Sequence, residues 1–226
     1  MATAIGPSPE MYLKSLWELS ASGEPVGIAA IAARLGISPV SASEMIHRLE
    51  ERRLVEHRRY RGVRLTRPGR DHARALIRRH RLWERFLADE LGLPWESVHD
   101  LACELEHAVG AEVTEALAER LGHPATCPHG NPIPAIAGEV GLPPARALAD
   151  LEVGQTATME RVSPESGPLL SYLAARRIVP GTSMRLERRD PFGDFLLVRV
   201  GEEEVALGLQ AAAQVFLAPA SRTGTG

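Results

Sequence analysis

Apolar and polar positions follow two rhythms along this chain. From residue 9 to about 122 the apolar side chains recur every three or four residues, the spacing of helices with one buried side. Met11, Leu13, Leu16, Trp17 and Leu19 predict a first helix from Pro9 to about Ser20, capped by Ser8 and ended by Gly23 to Pro25. Ile28, Ile31, Ala32 and Leu35 predict a second, with Gly36 as a left-handed C-cap. Ser38 and Pro39 restart a third, whose inward positions Ala42, Met45, Ile46 and Leu49 run on to Leu54. Two short helices around a glycine-containing turn make a helix-turn-helix. The stretch Leu54 to Thr66 reads as two strands about a turn near Gly62, which adds a wing.

Beyond Pro68-Gly69 the helical spacing resumes, with breaks at Gly92-Leu93-Pro94 and Gly122-His123-Pro124. It predicts roughly three helices, the candidates for a dimerisation core. Cys127 to Pro134 is a rigid extended connector, and Leu142-Pro143-Pro144-Ala145 marks a linker. From Ala149 to Ala218 the spacing shortens to that of strands. Gln155 to Val162, Ser183 to Arg189, Phe195 to Val200 and Glu204 to Leu207 are expected strands, with one helix near Leu169 to Arg176 and a small β-barrel as the result. The fold class is therefore mainly α with a small β part. Residues 1–72 form the winged helix-turn-helix, 73–145 a helical domain plus linker, 146–220 the β-domain and 221–226 a disordered tail.

Composition sharpens this picture only where it is unevenly distributed. The net charge of −3 conceals 14 Arg plus Lys against 8 Asp plus Glu in residues 1–80, and the reverse balance in the rest. A basic front on an acidic body suits a polyanion-binding module attached to a regulatory one. Four arginines of the wing, Arg58, Arg59, Arg61 and Arg64, with Tyr60 among them, are placed to meet a phosphate backbone, and Arg67 flanks them. Lys14 is the chain's single lysine. The 2 cysteines, Cys103 and Cys127, are too few for a disulfide framework. Neither a secretory signal nor an apolar run of membrane-spanning length is legible, so a cytoplasmic protein without membrane association is expected. No P-loop, dinucleotide fingerprint or GxSxG is present, and no enzyme activity is expected.

The most specific chemistry lies in Val98 to His107. On a helix His99, Cys103, Glu106 and His107 fall at about 0°, 40°, −20° and 80°, one sector of roughly 100°. One helix earlier His80 and Glu84 stand at i and i+4. Nitrogen, carboxylate and sulfur together suit a divalent transition ion better than calcium or magnesium. Cys127 and His129 lie two apart without a second such pair, and read as part of the structural connector.

Met11-Tyr12-Leu13, Arg79 to Glu84, His99 to His107 and Gly130 to Pro134 together resemble the diphtheria-toxin-repressor family of iron- and manganese-dependent bacterial regulators. The resemblance covers residues 9–134, and the β-domain is similar to the SH3-like domain of longer members. It implies a regulatory metal site of Met11, Cys103, Glu106 and His107. It implies an ancillary site of His80, Glu84 and His99, completed by Glu165 of the SH3-like domain, while leucine stands where that family has a glutamine. It also implies DNA contact through Ser38, Pro39, Val40, Ser41 and Glu44. The expected protein is a homodimeric repressor of iron or manganese homeostasis genes. Fe(II) or Mn(II) would activate it, with Co(II), Ni(II) or Zn(II) able to substitute in vitro, and it would bind a palindromic duplex operator. Two other readings fit parts of the sequence: a hydrolytic metalloenzyme for the His/Glu/Cys cluster, and a metal-independent winged-helix protein for the basic front.

Overall fold

The computed structural model describes residues 7–20, 24–136, 145–191 and 194–218. Its helices, eight among the described residues, and its strands fall into two units. The expected stop at Gly23, the linker at Leu142 to Pro144 and the tail lie outside the described residues.

The first unit comprises Met1–Leu82, Cys103–Arg120 and Ile133–Leu142. It opens with α1 (Pro7–Leu19), α2 (Ile28–Leu35) and α3 (Pro39–Glu51). α1 begins at Pro7, so Ser8 lies inside the helix and is not its cap; proline supplies a helical φ and loses nothing by lacking an N–H there. Gly36 ends α2 at φ 65, as its position after the last periodic residue requires. Ser38 caps α3 by accepting a hydrogen bond from the Ser41 amide. α3 stops at Glu51 and does not reach Leu54. Arg53 turns left-handed at φ 58, and the Leu54 amide donates back to Leu49 O at 2.9 Å, satisfying an end carbonyl of the helix.

β1 (Val55–Arg58) and β2 (Gly62–Leu65) pair antiparallel as the wing, and Val26 bridges to Val63 beside them. Leu13, Leu16, Ile31, Ala42, Ile46, Leu49, Val55 and Val63 form the buried core, each from a position the helical or strand period turns inward.

α4 (Arg67–Asp89) and α5 (Val98–Leu105) contribute to both units, while α6 (Ala111–Arg120) belongs to the first. The expected helix through His107 ends early. Glu106 and His107 lie in the turn after Leu105, where the Ala108 amide donates to Leu105 O at 3.1 Å and Arg79 Nη1 donates to Glu106 O at 2.6 Å. A guanidinium thus satisfies a carbonyl that a longer helix would have engaged.

The second unit comprises Trp83–Ala102, Leu121–Pro132 and Pro143–Gly226. Its sheet runs β3 (Arg146–Ala147), β8 (Val215–Leu217), β4 (Thr156–Val162), β5 (Ser183–Arg189), β6 (Phe195–Val200), β7 (Glu203–Gly208), antiparallel throughout. α7 (Gly167–Ala174) lies between β4 and β5 in sequence, two residues ahead of the helix expected there, and a short α8 (Leu209–Ala212) follows β7. β3, β8 and α8 are too short to carry a period. β8 and α8 nevertheless join the apolar core of Leu148, Met159, Leu170, Leu186, Val198 and Leu207 through Val215, Leu217 and Ala212. Among the described residues, no helix is long and apolar enough to cross a membrane.

Candidate metal centres and nucleic-acid interface

Two clusters of metal-competent side chains stand out, one in each unit. In the first unit the turn after α5 presents Glu106, whose side chain is 2% exposed, to α1 and α4. Lys14 Nζ donates to Glu106 Oε2 at 2.9 Å and Oε1 at 3.3 Å, and His80 Nδ1 meets Oε2 at 2.6 Å. Burial alone would raise the Glu106 carboxyl, but its bonds to His80 and Lys14 outweigh this and hold it down at about 2. For Lys14 burial would favour the neutral amine, but the charges of Glu106, Cys103 and Glu18 and the hydrogen bond to Glu106 together outweigh it, so its pKa is raised. His107 Nε2 is 3.5 Å from Glu106 Oε1, and His107 Nδ1 is 2.5 Å from Glu10 Oε2. A ligand nitrogen of His80 and the thiol sulfur of Cys103 lie within 4.8 Å of each other.

Glu106, His107, Cys103 and His80 therefore converge, and α1 reaches them with Glu10 and Lys14. Met11, the α1 residue expected to take part, is 48% exposed. Glu10 and Lys14 were missed because a carboxylate and an ammonium four apart read as an ordinary helical ion pair. Each instead has its partner on the turn after α5.

In the second unit Glu84, Cys127, His129 and Glu165 are all buried, and one potential ligand atom from each lies within 4.8 Å of the others. The connector is folded for this. Cys127-Pro128-His129-Gly130 makes a turn in which the Gly130 amide donates to Cys127 O at 2.9 Å, with proline second and glycine fourth, as such turns favour. The Cys127 amide donates to Asn131 O, and the Val162 amide to His129 O, fixing the turn against β4. Asn131 Nδ2 donates to Glu165 Oε1 at 2.6 Å and to Val162 O at 2.8 Å.

His129 Nε2 lies 2.9 Å from the carbonyl oxygen of Trp95. A carbonyl only accepts, so Nε2 carries the hydrogen, and in the neutral ring Nδ1 presents its lone pair to Glu84 Oε1 at 3.1 Å. Two acceptors this close need a cation. A proton meets the need in part: burial opposes it, but the Glu84 charge and hydrogen bond prevail and raise the His129 pKa. A divalent transition metal meets it with the whole donor set, and the backbone carbonyl behind Nε2 is the usual support of a metal-bound histidine. The residues present therefore fit such an ion.

His99 Nδ1 also lies 3.2 Å from Glu84 Oε1, so the expected Glu84 and His99 pair is brought together beside Glu165. Leu169, at the position expected for a glutamine, packs on the apolar core. Cys127 and His129, read in the sequence as part of the connector, lie in a cluster of donors that could hold a metal ion. Their partners come from α4 and from the loop after β4, His129 and Glu84 being 45 residues apart, so no local spacing announced them.

On the nucleic-acid side Ser38, Pro39, Val40, Ser41 and Glu44 are all exposed at the start of α3, and Ser38 Oγ lies 2.9 Å from Ser41 Oγ. Arg58, Arg61 and Arg64 line a cleft with Pro25, Glu56 and Gly62. Tyr60 is 91% exposed at the wing tip, with the Arg59 guanidinium 5.0 Å from its ring centre. Arg58, Arg59, Arg61 and Arg64 are exposed, and their charge suits phosphate.

The comparisons with known proteins agree with this division of labour. Residues 5–63 match the N-terminal DNA-binding domain of iron-dependent repressors, 66–135 the metal binding and dimerisation domain of the same proteins, and 146–219 the FeoA domain. A diphtheria toxin repressor of Corynebacterium jeikeium is 45% identical over 127 residues, 56% of this chain, and the chain spans only 53% of that relative's length. The iron-dependent repressor IdeR of Mycobacterium leprae is 33% identical over 211 residues, 88% of this chain and 91% of that protein. Among solved structures, a manganese-dependent transcriptional repressor in complex with manganese superposes with a TM-score of 0.82 at 38% identity, covering 92% of this chain and 98% of that one. ScaR with bound Zn2+ superposes with a TM-score of 0.81 at 31% identity, covering 93% and 98%. With DNA-binding, metal-binding and FeoA segments in that order along one chain, and donor clusters that suit a divalent ion in both units, the protein belongs to the iron-dependent repressor family of metal-dependent transcription regulators.

Proposed function

We propose that this chain is a metal-activated repressor that binds a palindromic DNA operator as a homodimer in the cytoplasm, and that it catalyses no reaction. Fe(II) or Mn(II) is the physiological activator. Glu106, His107 and Cys103, with His80 beside them, hold the regulatory ion. Glu84, Cys127, His129 and Glu165, with His99 adjacent, hold a second. When bound, the ion supplies a doubly positive centre joining donors from separate elements. Residues 1–72 read DNA, 73–145 dimerise and bind metal, and 146–220 form the accessory domain. Ser41 and Glu44 meet base edges, while the wing arginines meet phosphates.

One observation carries this reading: α1, the first helix of the DNA-binding segment, is held to the turn after α5 through Glu106 and His107, the two residues proposed here as metal donors. Whatever occupies those donors acts on the hold, and so on the angle at which α3 is presented. A ligand shifts such an equilibrium only by its differential affinity for the two states. The test is an anaerobic titration of operator binding with Mn(II) and Fe(II), reversed by chelator, on wild type and His107→Ala. The variant is expected to remain a folded dimer, to bind less metal and to lose at least about tenfold in specific affinity. Operator binding indifferent to chelator would leave only a metal-independent winged-helix protein.

A further inference from the structure

The first cluster contains a feature that metal chemistry alone does not call for. Glu106 Oε2 accepts a hydrogen bond from Lys14 Nζ at 2.9 Å and lies 2.6 Å from His80 Nδ1. Oε1 faces Lys14 Nζ at 3.3 Å and His107 Nε2 at 3.5 Å. An ammonium thus straddles the carboxylate at the place where a metal ion would take its electrons. We propose that Lys14 is a resident counter-ion of the regulatory centre: it neutralises Glu106 in the metal-free protein and must leave before a divalent cation binds there. Lys14 thereby sets the metal concentration at which the repressor responds.

Physical chemistry says which partner moves. An ammonium and a divalent cation cannot share one buried carboxylate without strong repulsion. Glu106 is anchored, because Arg79 Nη1 donates to its backbone carbonyl at 2.6 Å and its side chain is 2% exposed. Lys14 has a flexible four-carbon stem and a side chain already 12% exposed, so it reaches solvent by rotation about its own bonds. Lys14 also lies one helical turn from Glu10, which holds His107. Departure of the lysine therefore changes one of the two links between α1 and the turn after α5, which makes metal entry and α1 position a single event.

This inference rests on Glu106 and His107 being metal donors, and the experiment separates the two claims. Because Lys14 is the only lysine in the chain, protein labelled with 13C at lysine Cε gives one side-chain signal. Zn(II), which is diamagnetic, is titrated into wild type and His107→Ala, with bound metal counted in parallel. We expect the lysine signal to move saturably to the position of a solvated lysine, in step with the metal equivalent that His107→Ala loses. Lys14→Met should bind Zn(II) at this centre about tenfold more tightly than wild type, and Lys14→Arg, which keeps the charge, no more tightly than wild type. If His107→Ala loses an equivalent while the wild-type lysine signal stays fixed, Lys14 is a spectator and the inference is wrong although the site stands. If His107→Ala loses no metal, the site assignment itself fails and takes the inference with it.

Discussion

Gly130→Ala should both destabilise the second unit and weaken its metal centre. At φ 85 the residue sits in the left-handed region, and a methyl there would lie 2.0 Å from the Glu160 carbonyl oxygen and 2.9 Å from Arg161 Cα. That is roughly 1.3 Å short of the ~3.3 Å at which carbon and carbonyl oxygen settle. Neither side can retreat freely. β4 is paired with β5 on one side and β8 on the other, and the Cys127 to Asn131 turn is tied to β4 by the Val162 amide. The left-handed residue costs about 1–2 kcal/mol, and forced displacement of packed backbone about 1–3 kcal/mol more. Gly92→Ala is the control, since Gly92 has φ 64 and nothing within 4 Å of the added carbon, so it carries the first cost alone. Urea unfolding of the two variants with chelator present, followed by tryptophan fluorescence, measures the difference. Metal affinity should also fall in Gly130→Ala and hold in Gly92→Ala, because His129 and Asn131 flank the former. Equal stability of the two variants would refute the close approach.

Glu106→Gln tests the charge cluster in metal-free protein. A carboxyl lowered from 4.5 to about 2 stabilises the fold above its unfolded pKa and loses that contribution as pH falls towards 2. Such a shift is worth about 3 kcal/mol at pH 7 and less than half of that at pH 3. The gap between wild type and variant in urea titrations should close on acidification, and a gap independent of pH would contradict the assignment. Ser38→Ala removes the α3 cap and should cost about 1 kcal/mol in thermal unfolding, with Ser38→Gly nearer to wild type. Substituting two of Arg58, Arg59, Arg61 and Arg64 should weaken binding to every DNA sequence alike. If the wild-type dimer neutralises roughly 6 to 10 phosphates, its log K should fall against log salt with a slope of about −5 to −9, and a flat salt profile would remove the wing from the interface.

The helices and the wing were legible in the sequence because each buries one side, so Leu16, Ile46 and Val63 announce themselves by period. The helix ends were less so. α3 stops at Glu51 and α5 at Leu105 because backbone carbonyls find other donors, the Leu54 amide in one case and Arg79 in the other, and neither donor is visible in a local pattern. β8 and α8 are too short for any period, and only the core they join reveals them. Glu106 and His107 stood out by their residue types on a shared sector. Glu10, Lys14, Cys127 and His129 did not, because their chemistry depends on partners that only the fold brings near.

Glu10 and Lys14 also make α1 a polarised plug. One pin is negative and finds His107; the other, a helical turn along, is positive and finds Glu106. Sliding the helix by that turn, about 5.4 Å, would bring the negative pin towards a carboxylate or the positive one towards an imidazole. Two opposite charges on one face therefore fix axial register as well as attachment, and α1 is left free to pivot about the pins while translation is penalised in both directions.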